Sequence, residues 1–228
     1  MEAFATELMN RLNNPMCFTI PVFGGIGVSN NVVISWGIMA FLVLGSWLLT
    51  RNLQLVPGRR QLAVEILVGG LMRFFNGLLG ENGRQFAPYM ATVALYIGCA
   101  NLLGLVGIDP PTKDLNITAA LAVMSISLIE YAGIRKRGAL GWVKSFAEPM
   151  AIILPINIME VFMRPLSLCM RLFGNILGGF VVMEMLKITA PLLLPIPFSL
   201  YFDIFDGLIQ AYVFVLLTSL FINEALEA

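Results

Sequence analysis

The sequence predicts an all-α polytopic membrane protein, with five membrane-crossing helices plus one interfacial amphipathic helix and with the last two helices long and tilted. Three observations carry this. The chain of 228 residues is 58% hydrophobic and only 12% charged, whereas a soluble domain carries about 25% charged residues. Uncharged apolar runs recur at the length needed to cross a bilayer core of ~30 Å. Prolines, glycines and basic clusters separate those runs.

In chain order, residues 1–30 are a mixed polar lead-in. Phe18, Ile20 and Val22 alternate before Gly24, Gly25 and Gly27 loosen the chain, and the expectation is an irregular extracytoplasmic segment. Residues 31–50 carry no charge and form the first predicted span, closed by Arg51. Residues 61–79 repeat Leu62, Ile66, Gly69, Gly70 and Phe74 at helical spacing, with Glu65 and Arg73 interrupting. Charges inside such a run favour a helix lying in the interface; a re-entrant or poorly packed span is the other reading. Residues 86–106 are uncharged and form the second span. Pro110 and Pro111 force a turn, and 115–134 is the third span, followed at once by Arg135, Lys136 and Arg137. The fourth span, 156–187, carries Pro165, which removes a backbone donor. Pro191, Pro195 and Pro197 suggest a stiff loop. The last span, 198–225, is longer than a perpendicular crossing needs, so tilt is expected. Residues 31–228 thus read as a single membrane domain.

Basic residues set the orientation. With the N-terminus outside, Arg51, Arg59, Arg60, Arg73, Arg84, Arg135, Lys136, Arg137 and Lys144 fall inside, and Arg11, Lys113 and Lys187 outside. That asymmetry obeys the positive-inside rule and puts the C-terminus in the cytoplasm. Lys and Arg balance Asp and Glu at 14 each, so no basic field points to nucleic acid. The three cysteines are an odd number and histidine is absent, which disfavours a disulfide framework and removes the usual neutral-pH relay. No metal site and no cofactor is expected.

The fourth span carries the chemistry. Glu160, Arg164, Ser167, Arg171 and Asn175 follow at steps of three and four, and on a helix they fall in one stripe roughly 80° wide. Glu160 and Arg164 stand four apart and either neutralise each other structurally or line an inner ion path. Arg171 has apolar turns on both sides. A guanidinium at bilayer depth costs on the order of 3 kcal/mol by insertion scales, and an intramembrane arginine marks function. On the last helix Asp203, Asp206 and Gln210 share a face at steps of three and four. The two aspartates are either a solvated helix start or part of the path, Asp203 among the ion-translocation residues and Asp206 with Glu160 and Arg164 as structural or inner-path residues. Gln210, followed by an uncharged run, needs a partner, and a facing Arg171 or Asn175 would supply it.

These residues carry a resemblance. The run Pro165-Leu-Ser-Leu-Cys-Met-Arg171-Leu-Phe-Gly-Asn175, with Gln210-Ala-Tyr-Val-Phe opening the final apolar run, closely resembles subunit a of the F-type ATP synthases of bacteria and organelles. Further matches are Val56-Pro57-Gly58-Arg59, Phe86-Ala87-Pro88-Tyr89, Asn101-Leu-Leu-Gly-Leu105 and Asp114-Leu-Asn116-Ile-Thr118, so the resemblance covers about residues 31–228. It implies the membrane stator of a rotary motor in a bacterial inner membrane, without catalysis of its own. Its partners would be a ring of c subunits, peripheral-stalk b subunits and the rest of the complex. The family's essential arginine falls on Arg171 and its glutamine partner on Gln210, with Ser167 and Asn175 beside them. Two offset half-channels would carry a proton or sodium ion to and from a carboxylate on the ring.

The sequence departs from the family twice. Many members carry a carboxylate nine residues after the arginine, where this chain has Phe180. Many carry His or Glu seven residues before the glutamine, where this chain has Asp203. Glu184, four residues beyond Phe180, either replaces the missing carboxylate opposite Asp203 or is an interfacial glutamate beside Lys187. The competing class is a self-contained transporter or channel gated by the intramembrane arginine.

Overall fold

A computed structural model describes residues 16–20, 26–51, 53–54, 58–146, 152, 154–189 and 195–227. The first two pieces correct the expected irregular lead-in. Met16–Ile20 (β1) and Ile26–Ser29 (β2) pair antiparallel, Phe18 opposite Val28 and Ile20 opposite Ile26, with an irregularity between Met16 and Phe18. The alternation of Phe18 and Ile20 was the visible trace of a strand. Residues 1–15 lie outside the described part.

Ser29 leads directly into α1, Asn30–Thr50. Helix α2, Arg59–Gly83, and α3, Ala87–Leu102, are joined by a 3₁₀ turn at Arg84–Phe86. A second 3₁₀ turn, Leu103–Val106, ends at Gly107, whose φ of 79° lies in the left-handed region that glycine tolerates best. Asp114 accepts from the backbone N–H of Asn116 at 3.0 Å and so caps α4, Leu115–Ser145. Helix α5 is Leu154–Thr189. A short α6, Pro195–Ser199, runs through a π-helical turn, Leu200–Asp206, into α7, Gly207–Glu227. Five of these helical runs are long and apolar enough to cross a membrane.

Two local outcomes differ from the sequence expectation. The third spanning stretch ends at Gly138, a few residues past the expected bound; there φ of 75° and ψ of 161° break the helical backbone, and a second helical piece of α4 follows to Ser145. Glycine alone adopts that backbone without strain. Pro195 and Pro197 lie not in a loop but in the opening turn of α6, where a missing N–H costs nothing because no intrahelical acceptor awaits it. Pro191 lies outside the described residues. Across Pro165 the α5 helix runs on.

Helix α7 is the centre of the bundle, packed by α2, α3 and α4. Its Phe214, Val215 and Ile222 are buried, together with Phe75 and Leu79 of α2, Met90 and Ile97 of α3, and Ile129 of α4. Asn223 Nδ2 donates to the Leu78 carbonyl at 2.9 Å. At the far end, the Lys136 ammonium donates to the Leu226 carbonyl, a cation where the helix dipole favours one. Helix α5 sits outside this group, packed chiefly on α4, where Cys169 Sγ is 3.6 Å from Thr118 Oγ1. Its opposite face leaves Met159, Phe162, Met163, Leu166 and Met170 exposed.

Candidate ion-translocation site

Arg171, Ser167 and Asn175 all lie on the exposed side of α5, reached by the three- and four-residue steps of one helix. Arg171 has no hydrogen-bond or ion-pair partner among the described residues. Asn175 Nδ2 donates to Gln210 Oε1 of α7 at 2.7 Å. Gln210 is 2% exposed, and its Nε2 has no partner among the described groups. The expected meeting of the two helices at Gln210 therefore runs through Asn175. An interhelical bond of this kind contributes about 0.6–2 kcal/mol in a membrane, too little to hold two helices but enough to fix how they face.

Two polar cavities lie at opposite ends of α5 and α7. The first, about 240 Å³, is lined by Asn175, Phe180 and Lys187 of α5, by Asp203 and Asp206 of the π-helical turn, and by Asn101 and Asp109 on the α3 side. The second, about 410 Å³, is lined by Asn157, Glu160 and Arg164 of α5, Glu224 of α7, and Glu130 and Arg137 of α4. No residue of 165–174 or 207–223 lines either cavity. Arg171 stands in that dividing stretch, ~6 Å along the axis from Asn175 and ~10 Å from Arg164 at 1.5 Å per residue.

The first cavity is built by close backbone approaches. Asn101 is buried; its Nδ2 donates to the Gly207 carbonyl at 2.8 Å and its Oδ1 accepts from Thr112 Oγ1 at 2.7 Å. A Cβ on Gly207 would stand 3.0 Å from the Asn101 Cβ, so glycine lets the start of α7 seat against α3. A Cβ on Gly104 would collide with the Asp203 carboxylate, so Asp203 rests against bare backbone. The π-helical turn presents Asp203 and Asp206 to this one cavity; π-turns concentrate at functional sites. Asp206, grouped by the sequence reading with Glu160 and Arg164, lines the cavity of Asp203 instead: it follows Asp203 by three residues in the same turn, at the opposite end of α5 and α7 from Arg164.

Glu184 is buried at 4% exposure, and its Oε1 is 2.6 Å from Lys187 Nζ. It does not line the first cavity; Lys187 does. At the position of the absent family carboxylate, the ring of Phe180 faces the ammonium of Lys113, 4.0 Å from its centroid, and Lys113 is paired with Asp109 at 2.7 Å. At the second cavity, Arg164 Nη2 donates to both Glu160 Oε2 and Glu224 Oε1 at 2.8 Å, with the guanidinium 5.0 Å over the Phe221 ring. Trp142 Nε1 donates to Glu130 Oε2 at 2.7 Å. The sequence reading missed Glu224 as a site residue. Its signal was present: it follows Gln210 by fourteen positions, about 40° away around a helix.

A multi-helix membrane protein with two polar cavities, divided by a helix face bearing an arginine without a partner among the described residues, has the architecture of an ion-translocating subunit. The ATP synthase A chain family model matches residues 32–223, and the chain belongs to that family. It resembles ATP synthase subunit a of Moorella thermoacetica, 40% identical over 87% of this chain and 91% of that protein. It also resembles the subunit a of Solidesulfovibrio magneticus, 37% identical over 90% and 88%. The Propionigenium modestum protein described as ATP synthase subunit a, sodium ion specific, is 33% identical over 89% of this chain and 75% of that one. The chain is a stator subunit of the membrane sector, moving ions without itself being catalytic.

Proposed function

We propose that the two cavities are the half-channels of this stator, the first opening outside and the second to the cytoplasm, and that Arg171 couples ion passage to rotation of a c-subunit ring. The N-terminus and residues 1–30 lie outside, 31–228 form one membrane domain, and the C-terminus is cytoplasmic, in keeping with the positive-inside count. The membrane is a bacterial inner membrane, as the bacterial relatives suggest. Peripheral-stalk b subunits and the remaining subunits hold the chain against the turning ring.

The observation that carries this reading is the division of the two cavities by the stretch holding Arg171. A ring carboxylate facing lipid must be neutral, since a bare charge is prohibitive there. Beside Arg171 its ionised form is favoured. Its ion therefore leaves into one cavity before the site passes, and the next loads from the other. Arg171 also bars direct passage between the cavities. Each elementary charge crossing 100 mV supplies about 2.3 kcal/mol, which drives the rotation. Asp203, Asp206 and Asn175 line the loading side, with Gln210 held to Asn175; Glu160, Arg164 and Glu224 line the release side. Ser167 stands with Arg171 on the ring-facing side.

Arg171→Ala tests the reading in vesicles carrying the whole complex. Ion-driven ATP synthesis falls to background while the subunit stays assembled. Arg171→Lys also falls to near background, because a compact ammonium does not reproduce a planar guanidinium fork. Near-parental synthesis in both variants overturns the role.

A further inference from the structure

Helix α5 leans on α4 and touches α7 sparingly, yet translocation as proposed needs Arg171 of α5 and Gln210 of α7 to keep a fixed relation. Two polar links between the helices flank Arg171. On one side Asn175 bonds Gln210 at 2.7 Å. On the other, Arg164 reaches across to Glu224 at 2.8 Å. Arg164 is itself steadied at three points: Glu160 on its own helix, Glu224 on α7 and the Phe221 ring beneath it. Its side chain is 19% exposed, against 52% for Glu160 and 56% for Glu224, so the shared cation is the covered member and the carboxylates face the cavity.

We propose that Arg164 is a positioning residue for the ion-transfer step: by gripping Glu224 it holds α7 to α5 on the second-cavity side of Arg171, completing a pair of clasps around that residue. The inference rests on the proposed role of Arg171. A clasp demands a cation that reaches Glu224, not a particular proton chemistry. Lysine, which carries the charge on a comparable stem, therefore serves in part at position 164, although it fails at 171.

The experiment uses the whole complex in inverted membrane vesicles and reads ions pumped per ATP hydrolysed, with the membrane content of the subunit as control. Arg164→Gln and Glu224→Gln each lower the coupling ratio roughly three- to tenfold, toward the low end of what coupling between neighbouring charges gives. Arg164→Lys keeps most of it. The exchange Arg164→Glu with Glu224→Arg pumps better than either charge reversal alone, yet below the parent, because it sets two carboxylates four residues apart on α5. Parental coupling in both single glutamine variants overturns the inference. So does an exchange no better than its single charge reversals. Should Arg164→Gln fail to assemble, Glu224→Gln and Arg164→Lys decide it: lowered coupling in the first with retained coupling in the second supports the clasp, and any other pattern overturns it. Arg171→Ala in the same vesicles separates the two levels. Coupling that survives there overturns the function proposed for Arg171, whereas its loss beside parental Arg164 and Glu224 variants overturns the clasp alone.

Discussion

At the scale of single residues, the outcome turns on which charges have partners. In the first cavity Lys187 is held by Glu184 and Lys113 by Asp109, which leaves Asp203 and Asp206 without an ion pair among the described residues. Removing the Glu184 charge would free Lys187, which lines the same cavity as Asp203, to pair with that carboxylate. Glu184→Gln is therefore expected to slow ion-driven ATP synthesis by a few-fold although Glu184 does not line the cavity. Asp203→Asn is expected to slow it as well, and the double variant to fall short of the sum, since linked groups do not add. A double-mutant cycle on initial synthesis rates checks this; strict additivity counts against a link through Lys187. Gln210 is a separate case. Gln210→Leu strands the Asn175 amide and removes the only polar link on that side of Arg171 described above, so synthesis should drop several-fold without loss of assembly, while Gln210→Glu keeps an acceptor for Asn175 and retains more.

At the scale of elements, glycines and one irregular turn decide where polar groups meet. Gly104→Ala places a methyl where the Asp203 carboxylate now rests. The carboxylate is the free end of a side chain and can swing away, so the fold survives while the cavity wall changes; vesicles carrying this variant should show slowed ion-driven synthesis with normal subunit content. Gly138→Ala is expected to act on stability instead. A backbone at φ 75° and ψ 161° costs a side-chain-bearing residue about 1–3 kcal/mol, and it threatens the turn that brings Trp142 back to Glu130. Thermal unfolding of the purified complex in detergent should begin with this subunit at a lower temperature. These elements also show what was legible in the sequence. The apolar spans were, because their length and lack of charge answer to the bilayer alone. The Glu160–Arg164 pair and the face shared by Arg171 and Asn175 were, because helical spacing is local. The second helical piece beyond Gly138 was not, because no local signal shows the Trp142–Glu130 contact that folds it back. Nor was the π-helical form of the turn that carries Asp203 and Asp206, since their three-residue step reads the same on an α-helix. Glu224 was overlooked because it sits in a polar helix end, where a charge is ordinary until a partner 60 residues earlier is placed against it.

At the scale of the whole molecule, the two cavities do not join. Cavity lining runs up to Asp206, the residue before α7, and resumes at Glu224 near the end of α7, leaving ~25 Å of helix between them at 1.5 Å per residue. Along the same stretch α5 presents Arg171 beside exposed Met163, Leu166 and Met170. An ion entering from one side thus meets a wall and a fixed positive charge, and its onward path must be supplied by a carrier moving past Arg171. The chain reconstituted by itself in liposomes should then pass neither protons nor sodium ions under an imposed potential of about 100 mV, although that potential is worth about 2.3 kcal/mol per charge. Adding the c-subunit ring should restore an ion flux that stops when the ring carboxylate is replaced by an amide. Running the two arms with proton-sensitive and sodium-sensitive dyes identifies the coupling ion at the same time. Steady flux through the chain without a ring would show a continuous pore past Arg171 and overturn the two-half-channel arrangement, while leaving the family membership untouched.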